Sequence, residues 1–198
     1  MTILAASIFT FSNLFIKNNV LLSHTTSAYS KSILTKFEEA VWTSIKLVDG
    51  DKLLEGCIYR SSSGTKDNDE ELRKLLHEVS NKGYRHLLIM GGFNYGKICW
   101  NTWSTSSNES LIDFKFIERI RDCYLFQHVN KPTRGRVNQD PHVLDLILTN
   151  EDGMVTDIEH YSSLGKRDHL ILKFNFNCYF QQANTERVKF YYDIFLLI

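Results

Sequence analysis

Five polar residues stand where strand-like runs meet loops: Tyr59 in "CIYR", Asn94 in "GGFN", Asp145 in "VLDLIL", and the pair Asp168-His169 at the entry to "HLILKFNF". A phenol, an amide, two carboxylates and an imidazole can hold an anion, ligate a hard cation or move a proton. Strand ends feed loops from rigid elements, so these are the positions to weigh for chemistry. Each also has an ordinary reading when taken alone. Tyr59 can be a core tyrosine with its hydroxyl at the rim, Asn94 a loop residue bonding its own backbone, Asp145 a strand-end acid facing solvent, and Asp168-His169 a solvated pair.

The elements that must position them follow from periodicity. "VWTSIKL" (41 to 47) alternates as a half-buried strand does, and Asp49-Gly50 signals a tight turn into a second strand that ends at Tyr59-Arg60. Asp67 and Glu70 suit a helix start, Leu72, Leu75, Leu76 and Val79 recur at helical spacing, and Gly83 suits the stop. A buried strand from Leu87 to Met90 follows and is expected to halt on Gly91-Gly92. After a polar loop (101 to 110), Leu111, Phe114, Ile117 and Ile120 mark a second amphipathic helix. "VLDLILTN" (143 to 150) and "HLILKFNF" (169 to 176) read as strands, the latter with Leu170, Leu172, Phe174 and Phe176 on one side. Strands and helices interleave with a hairpin, and the helices are too few for a regular parallel sheet, which predicts an α/β or α+β layered sandwich.

Taken in order, the stretches "EEAVWTSIKLVDGDKLLEGCIYRSSS", "HLLIMGGFNYGKICW", "LFQHVNKPTRGR", "VLDLILTNEDGMVTDIE" and "SSLGKRDHLILKFNF" resemble the endonuclease/exonuclease/phosphatase superfamily. The resemblance is greatest to the endonuclease domain of jockey-like non-LTR retrotransposons, which carry a reverse transcriptase downstream. It implies a deoxyribonuclease-I-like two-sheet β-sandwich flanked by helices, and metal-dependent phosphodiester hydrolysis (DNA nicking), usually with magnesium. It also implies roles, one residue at a time. His169 would contact the scissile phosphate, with Asp145 orienting its imidazole, and Asp168 would serve the metal. Tyr59 would lie beside the phosphate, and Asn94 would help position nucleophile and phosphate. Asp168 and His169 can address one site only if the backbone turns there, which the Gly165 loop allows.

The departures from the family pattern are as informative. The motif Gly-Asp-Phe-Asn reads Gly91-Gly92-Phe93-Asn94 here, so the aspartate that aligns or deprotonates the attacking water is replaced by glycine. The family's amino-terminal asparagine and metal-binding glutamate have no counterpart in residues 1 to 38, and Glu38 and Glu39 precede a strand that does not match the metal-ligand segment. "NLFIKNNV" (13 to 20) looks like a later strand of the domain, so the fold is expected to lack its first strands. The expected organisation is a divergent segment with a remnant strand (1 to 38), the endonuclease-like domain (39 to 176) and a carboxy-terminal tail (177 to 198). "VKFYYD" (188 to 193) is similar to the start of a linker toward the reverse transcriptase, and no polymerase motif is present in this chain. The expectation is weak or absent nicking activity. The alternatives are a non-catalytic nucleic-acid or phosphate-binding module, or a relic without function.

Composition narrows the partners. The 198 residues carry 23 Lys plus Arg against 23 Asp plus Glu, so no overall field draws in a polyanion, and DNA contact must come from local clusters such as Lys131 to Arg136 and Lys166-Arg167. Four scattered cysteines, without zinc-site spacing, read as reduced core thiols. The apolar opening (3 to 16) lacks a basic leader, contains several polar residues and is too short to span a bilayer, so no membrane partner is expected; an intracellular place, nuclear or cytoplasmic, is the expectation and a secretory signal the alternative.

Overall fold

The structure is a computed structural model that describes residues 27–28, 36–47, 51–106, 111–134, 140–162, 170–180 and 188–196, with side chains excepted at 27–28, 178–180 and 188–196. Its strands are β1 (Ser27–Ala28), β2 (Ala40–Lys46), β3 (Lys52–Tyr59), β4 (His86–Gly92), β5 (Ile98–Cys99), β6 (Ser104–Thr105), β7 (Phe126–Gln127), β8 (Asp145–Thr149), β9 (Val155–Tyr161), β10 (Ile171–Phe180) and β11 (Val188–Leu196). Two helices are described, α1 (Lys66–Ser80) and α2 (Ile112–Asp122). A six-stranded sheet runs β1-β2-β3-β4-β8-β7, a three-stranded sheet runs β11-β10-β9, and β5-β6 form a small hairpin. Within the large sheet only β3 and β4 are parallel, and α1 makes the crossover such a pair requires.

Alternation along the strands sends side chains to two separate cores. Leu54, Ile58, Leu87, Ile89, Leu146 and Leu148 face the helices, where they meet Leu72, Leu75, Leu76 and Val79 of α1 and Phe116, Ile117 and Ile120 of α2. Leu53, Leu88, Met90 and Ile147 face the second sheet and pack on Val155, Leu172, Phe174 and Phe176. The expected layered sandwich with flanking helices is therefore present, and the predicted stripe on β10 is its inner face.

Several elements differ from expectation in informative ways. β4 does not halt at Met90. It continues through both glycines, because Gly91 and Gly92 pair with Ile58 and Tyr59 on one side and with Leu146 and Asp145 on the other. Helix α1 is capped by Thr65, whose side chain accepts from the Asn68 amide at 3.2 Å, two residues before the expected Asp67. In α2 the buried face is Phe116, Ile117 and Ile120, and Leu111 is the exposed residue at the cap. Cys99 is exposed and so is not a core thiol. The segment read as a carboxy-terminal tail holds the end of β10 and all of β11, which pair from Leu172↔Leu196 to Phe180↔Val188. Its run of aromatic and β-branched residues suits a pleated surface. The remnant strand at 13 to 20 and the Asp49-Gly50 turn lie outside the described residues, although β2 and β3 pair in the hairpin register that turn predicts. No helix among the described residues is long and apolar enough to cross a membrane.

Candidate active site

Three predicted positions come together through strand register alone. Tyr59 ends β3, Gly92 ends β4 and Asp145 begins β8. Tyr59 pairs with Gly92 across the parallel ladder, and Gly92 pairs with Asp145 across the antiparallel one. They form one row across the ends of three neighbouring interior strands of the large sheet. Parity places the row on the side facing the second sheet, because Ile58, Gly91 and Leu146 alternate with it toward the helices. Asp145 is only 1% exposed, so its carboxylate works inside the protein rather than in bulk water.

Asn94 lies two residues beyond the row. Its backbone is left-handed (φ 55°), and its Nδ2 donates to the carbonyl oxygen of Arg60 at 2.6 Å. The amides of Phe93 and Asn94 donate to the Leu144 carbonyl at 2.8 and 3.2 Å, which ties this turn to the entry of β8. Thr133, fully buried, supports the same entry from below: its Oγ1 accepts from the amides of Leu144 and Asp145, each at 3.1 Å. The Thr133 carbonyl accepts from the Leu170 amide at 3.0 Å. Asp168 and His169 lie outside the described residues, immediately before Leu170.

The family described as endonuclease-reverse transcriptase matches residues 55–173, more than half of the chain and all three residues of the row. The chain belongs to this endonuclease-reverse transcriptase family. The structure is similar to the endonuclease domain of TRAS1, a telomere-specific non-LTR retrotransposon, with a TM-score of 0.58 and 15% identity, covering 79% of this chain and 69% of that one. It is also similar to an endonuclease/exonuclease/phosphatase family protein from Leptotrichia buccalis, with a TM-score of 0.43 and 16% identity, covering 61% of this chain and 44% of that one. No curated protein matches. The likeness to the TRAS1 domain identifies the fold of this family member as the deoxyribonuclease-I-like sandwich.

Members of the family use a divalent cation, which prefers several oxygen ligands. Among the described residues of this member no group of three His, Cys, Asp or Glu side chains lies close enough to hold a metal ion. They do not by themselves form a cation site, and Asp168, expected to serve the metal, lies outside them.

The structure also reveals polar residues that periodicity did not single out in this family member. Arg60 and Asp69 form a buried ion pair, 5% and 1% exposed, that bonds the turn at Asn94. A signal was present, because Asp69 lies three residues before Leu72 on the apolar stripe of α1, where a carboxylate demands a partner. Thr133 sits inside the charged "KPTRGR" run, where no periodicity marks its hydroxyl.

Glu55 is the second surprise. It lies on β3 facing the second sheet, is 8% exposed, and its Oε1 is buried without a hydrogen-bond partner. Burial pushes its carboxyl up to about 7, and burial together with the neighbouring Glu55 pushes the Cys57 thiol up to about 11. Below pH 4.5 Glu55 is protonated in both folded and unfolded chains. Between 4.5 and 7 the folded chain keeps a proton that the unfolded chain has lost, so stability falls as pH rises through that window and then levels off. The span corresponds to about 3 kcal/mol as an order of magnitude. Glu55→Gln is expected to flatten this fall and to leave the variant more stable than the native chain at pH 8. Urea unfolding at pH 5 and pH 8 checks it; equal pH dependence in the two chains would refute the assignment.

Proposed function

We propose that this chain is a nuclease-descended domain that binds a DNA phosphodiester at the Tyr59-Gly92-Asp145 row and hydrolyses it weakly or not at all. The observation that carries the reading is the row itself, in which two polar residues flank a position that holds no side chain. In this reading the Tyr59 phenol donates to a phosphate oxygen, and Asn94 holds the phosphate and the water beside it. His169 contacts the developing charge, and Asp145, shielded from solvent, fixes the tautomer and direction of that imidazole. No carboxylate at position 92 takes the proton of the attacking water, so the slow step lacks its general base. Lys131, exposed two residues before Thr133, supplies charge for the DNA backbone next to the row.

The test combines nicking and binding. Supercoiled plasmid is incubated with magnesium and either the native chain or His169→Ala, and duplex binding is measured across a salt series. Expected results are nicking at or near the blank and binding that weakens by about one decade per decade of salt for each phosphate neutralised. Lys131→Ala should lower that slope by about one. Brisk nicking by the native chain, abolished in His169→Ala, would overturn the weak-activity reading. Absence of both nicking and salt-dependent binding would overturn the whole assignment in favour of a relic.

A further inference from the structure

Arg60 follows Tyr59 directly, yet its side chain turns the other way, into the protein beneath the first turn of α1. There Nε donates to Asp69 Oδ1 at 2.5 Å and Nη2 to Oδ2 at 3.4 Å, while Nη1 donates to the carbonyls of Phe93 at 3.3 Å and Asn94 at 3.2 Å. The Tyr95 hydroxyl donates to Asp69 Oδ1 at 2.9 Å, and the Tyr95 ring lies under the guanidinium, 4.1 Å from centroid to Cζ. Burial pushes the Tyr95 phenol up, so it stays a neutral donor. Residue 60 thus grips residue 94 twice: its guanidinium holds the Asn94 carbonyl, and its own carbonyl holds the Asn94 side-chain amide.

A left-handed backbone at a non-glycine residue costs free energy and persists only where its surroundings over-determine it. A buried ion pair is a poor means of adding stability, because apolar residues of similar volume usually do as well, whereas its directional bonds define geometry. Four of the five guanidinium donors are directed, two at a carboxylate and two at carbonyls, a fork that lysine cannot reproduce. We infer that Arg60 is a positioning residue of the phosphodiester site, fixing the turn and the side-chain direction of Asn94 through a buried clamp closed by Asp69 and Tyr95. The functional half of this inference rests on the proposed function; the clamp itself does not.

The experiment reads both halves separately. The side-chain amide protons of Asn94 are assigned by NMR from their loss in Asn94→Ala, and their shift and exchange rate are followed in Arg60→Lys, Tyr95→Phe and the apolar double variant Arg60→Met with Asp69→Leu. The double variant leaves no buried charge unpaired, and Tyr95→Phe removes a single hydroxyl, so folding loss in Arg60→Lys does not stop the test. Exchange is expected to quicken about tenfold or more in Arg60→Lys and the double variant, and less in Tyr95→Phe. An unmoved Asn94 amide in a folded Arg60 variant would overturn the clamp.

In the Gly92→Asp chain, Arg60→Lys should lower kcat for nicking about as much as Asn94→Ala does, roughly ten- to a hundredfold, with KM little changed and no further loss when the two are combined. Additive losses would overturn positioning through Asn94. If Gly92→Asp neither binds nor nicks DNA, the site reading fails, while the amide measurement still decides the clamp.

Discussion

Gly92→Asp is expected to raise the magnesium-dependent nicking rate of this chain by about 10²- to 10⁴-fold, the contribution of a positioned general base. Gly92 is not among the described glycines with positive φ, so its backbone conformation does not by itself bar an L side chain. The register then places the new carboxylate between Tyr59 and Asp145. Residues directly opposite on antiparallel strands bring their Cβ atoms to about 5 Å. A carboxylate introduced that close to another is repelled by it, which makes the new group a stronger base than a free one. Initial nicking rates across pH measure the effect, and Gly92→Asn, of similar shape but without a base, is the control. Equal gains from Asn and Asp, or no gain from Asp in a folded chain that binds DNA, would refute the general-base account.

The neighbouring glycine is expected to behave in the opposite way. Gly91→Ala should destabilise the fold by about 4 kcal/mol or more, a loss large enough to unfold many small domains. At φ 144° an L residue is strained, and a Cβ there would stand 1.8 Å from the carbonyl oxygen of Ile58. That oxygen is part of the β3 backbone and cannot rotate away. Urea unfolding of Gly91→Ala beside Gly92→Asp compares the two positions directly. A loss under about 1 kcal/mol at Gly91 would contradict the close approach of β3 and β4. One glycine is thus demanded by the backbone, and the other is not.

How much of this was legible in the sequence depended on whether the signal was local. The stripe Leu172, Phe174, Phe176 and the helical run Leu72 to Val79 announced their faces, because each needs only its own periodicity. Glycine weakens strands in general, so the Gly91-Gly92 pair has the local signature of a stop, and only the neighbours Ile58 and Leu146 reveal that the ladder continues. Helix α1 is capped by Thr65 rather than Asp67, as two acceptors close together compete and the backbone geometry decides. Tyr59, Asn94 and Asp145 stand out in the sequence by their places at strand ends and by family resemblance. Arg60 and Thr133 do not, because a side chain that bonds carbonyls or amides far along the chain leaves no periodic trace.

Thr133 has a consequence for the way the two sheets are held. Apolar packing between sheets is non-directional and resists sliding only weakly. Thr133 instead bonds the amides at the start of β8, in one sheet, and the amide of Leu170 just ahead of β10, in the other. A shear of one sheet over the other would have to stretch bonds on both sides of this single residue. The relative registry of the sheets is therefore set beside Asp145, and the row keeps its alignment with Leu170, just ahead of β10.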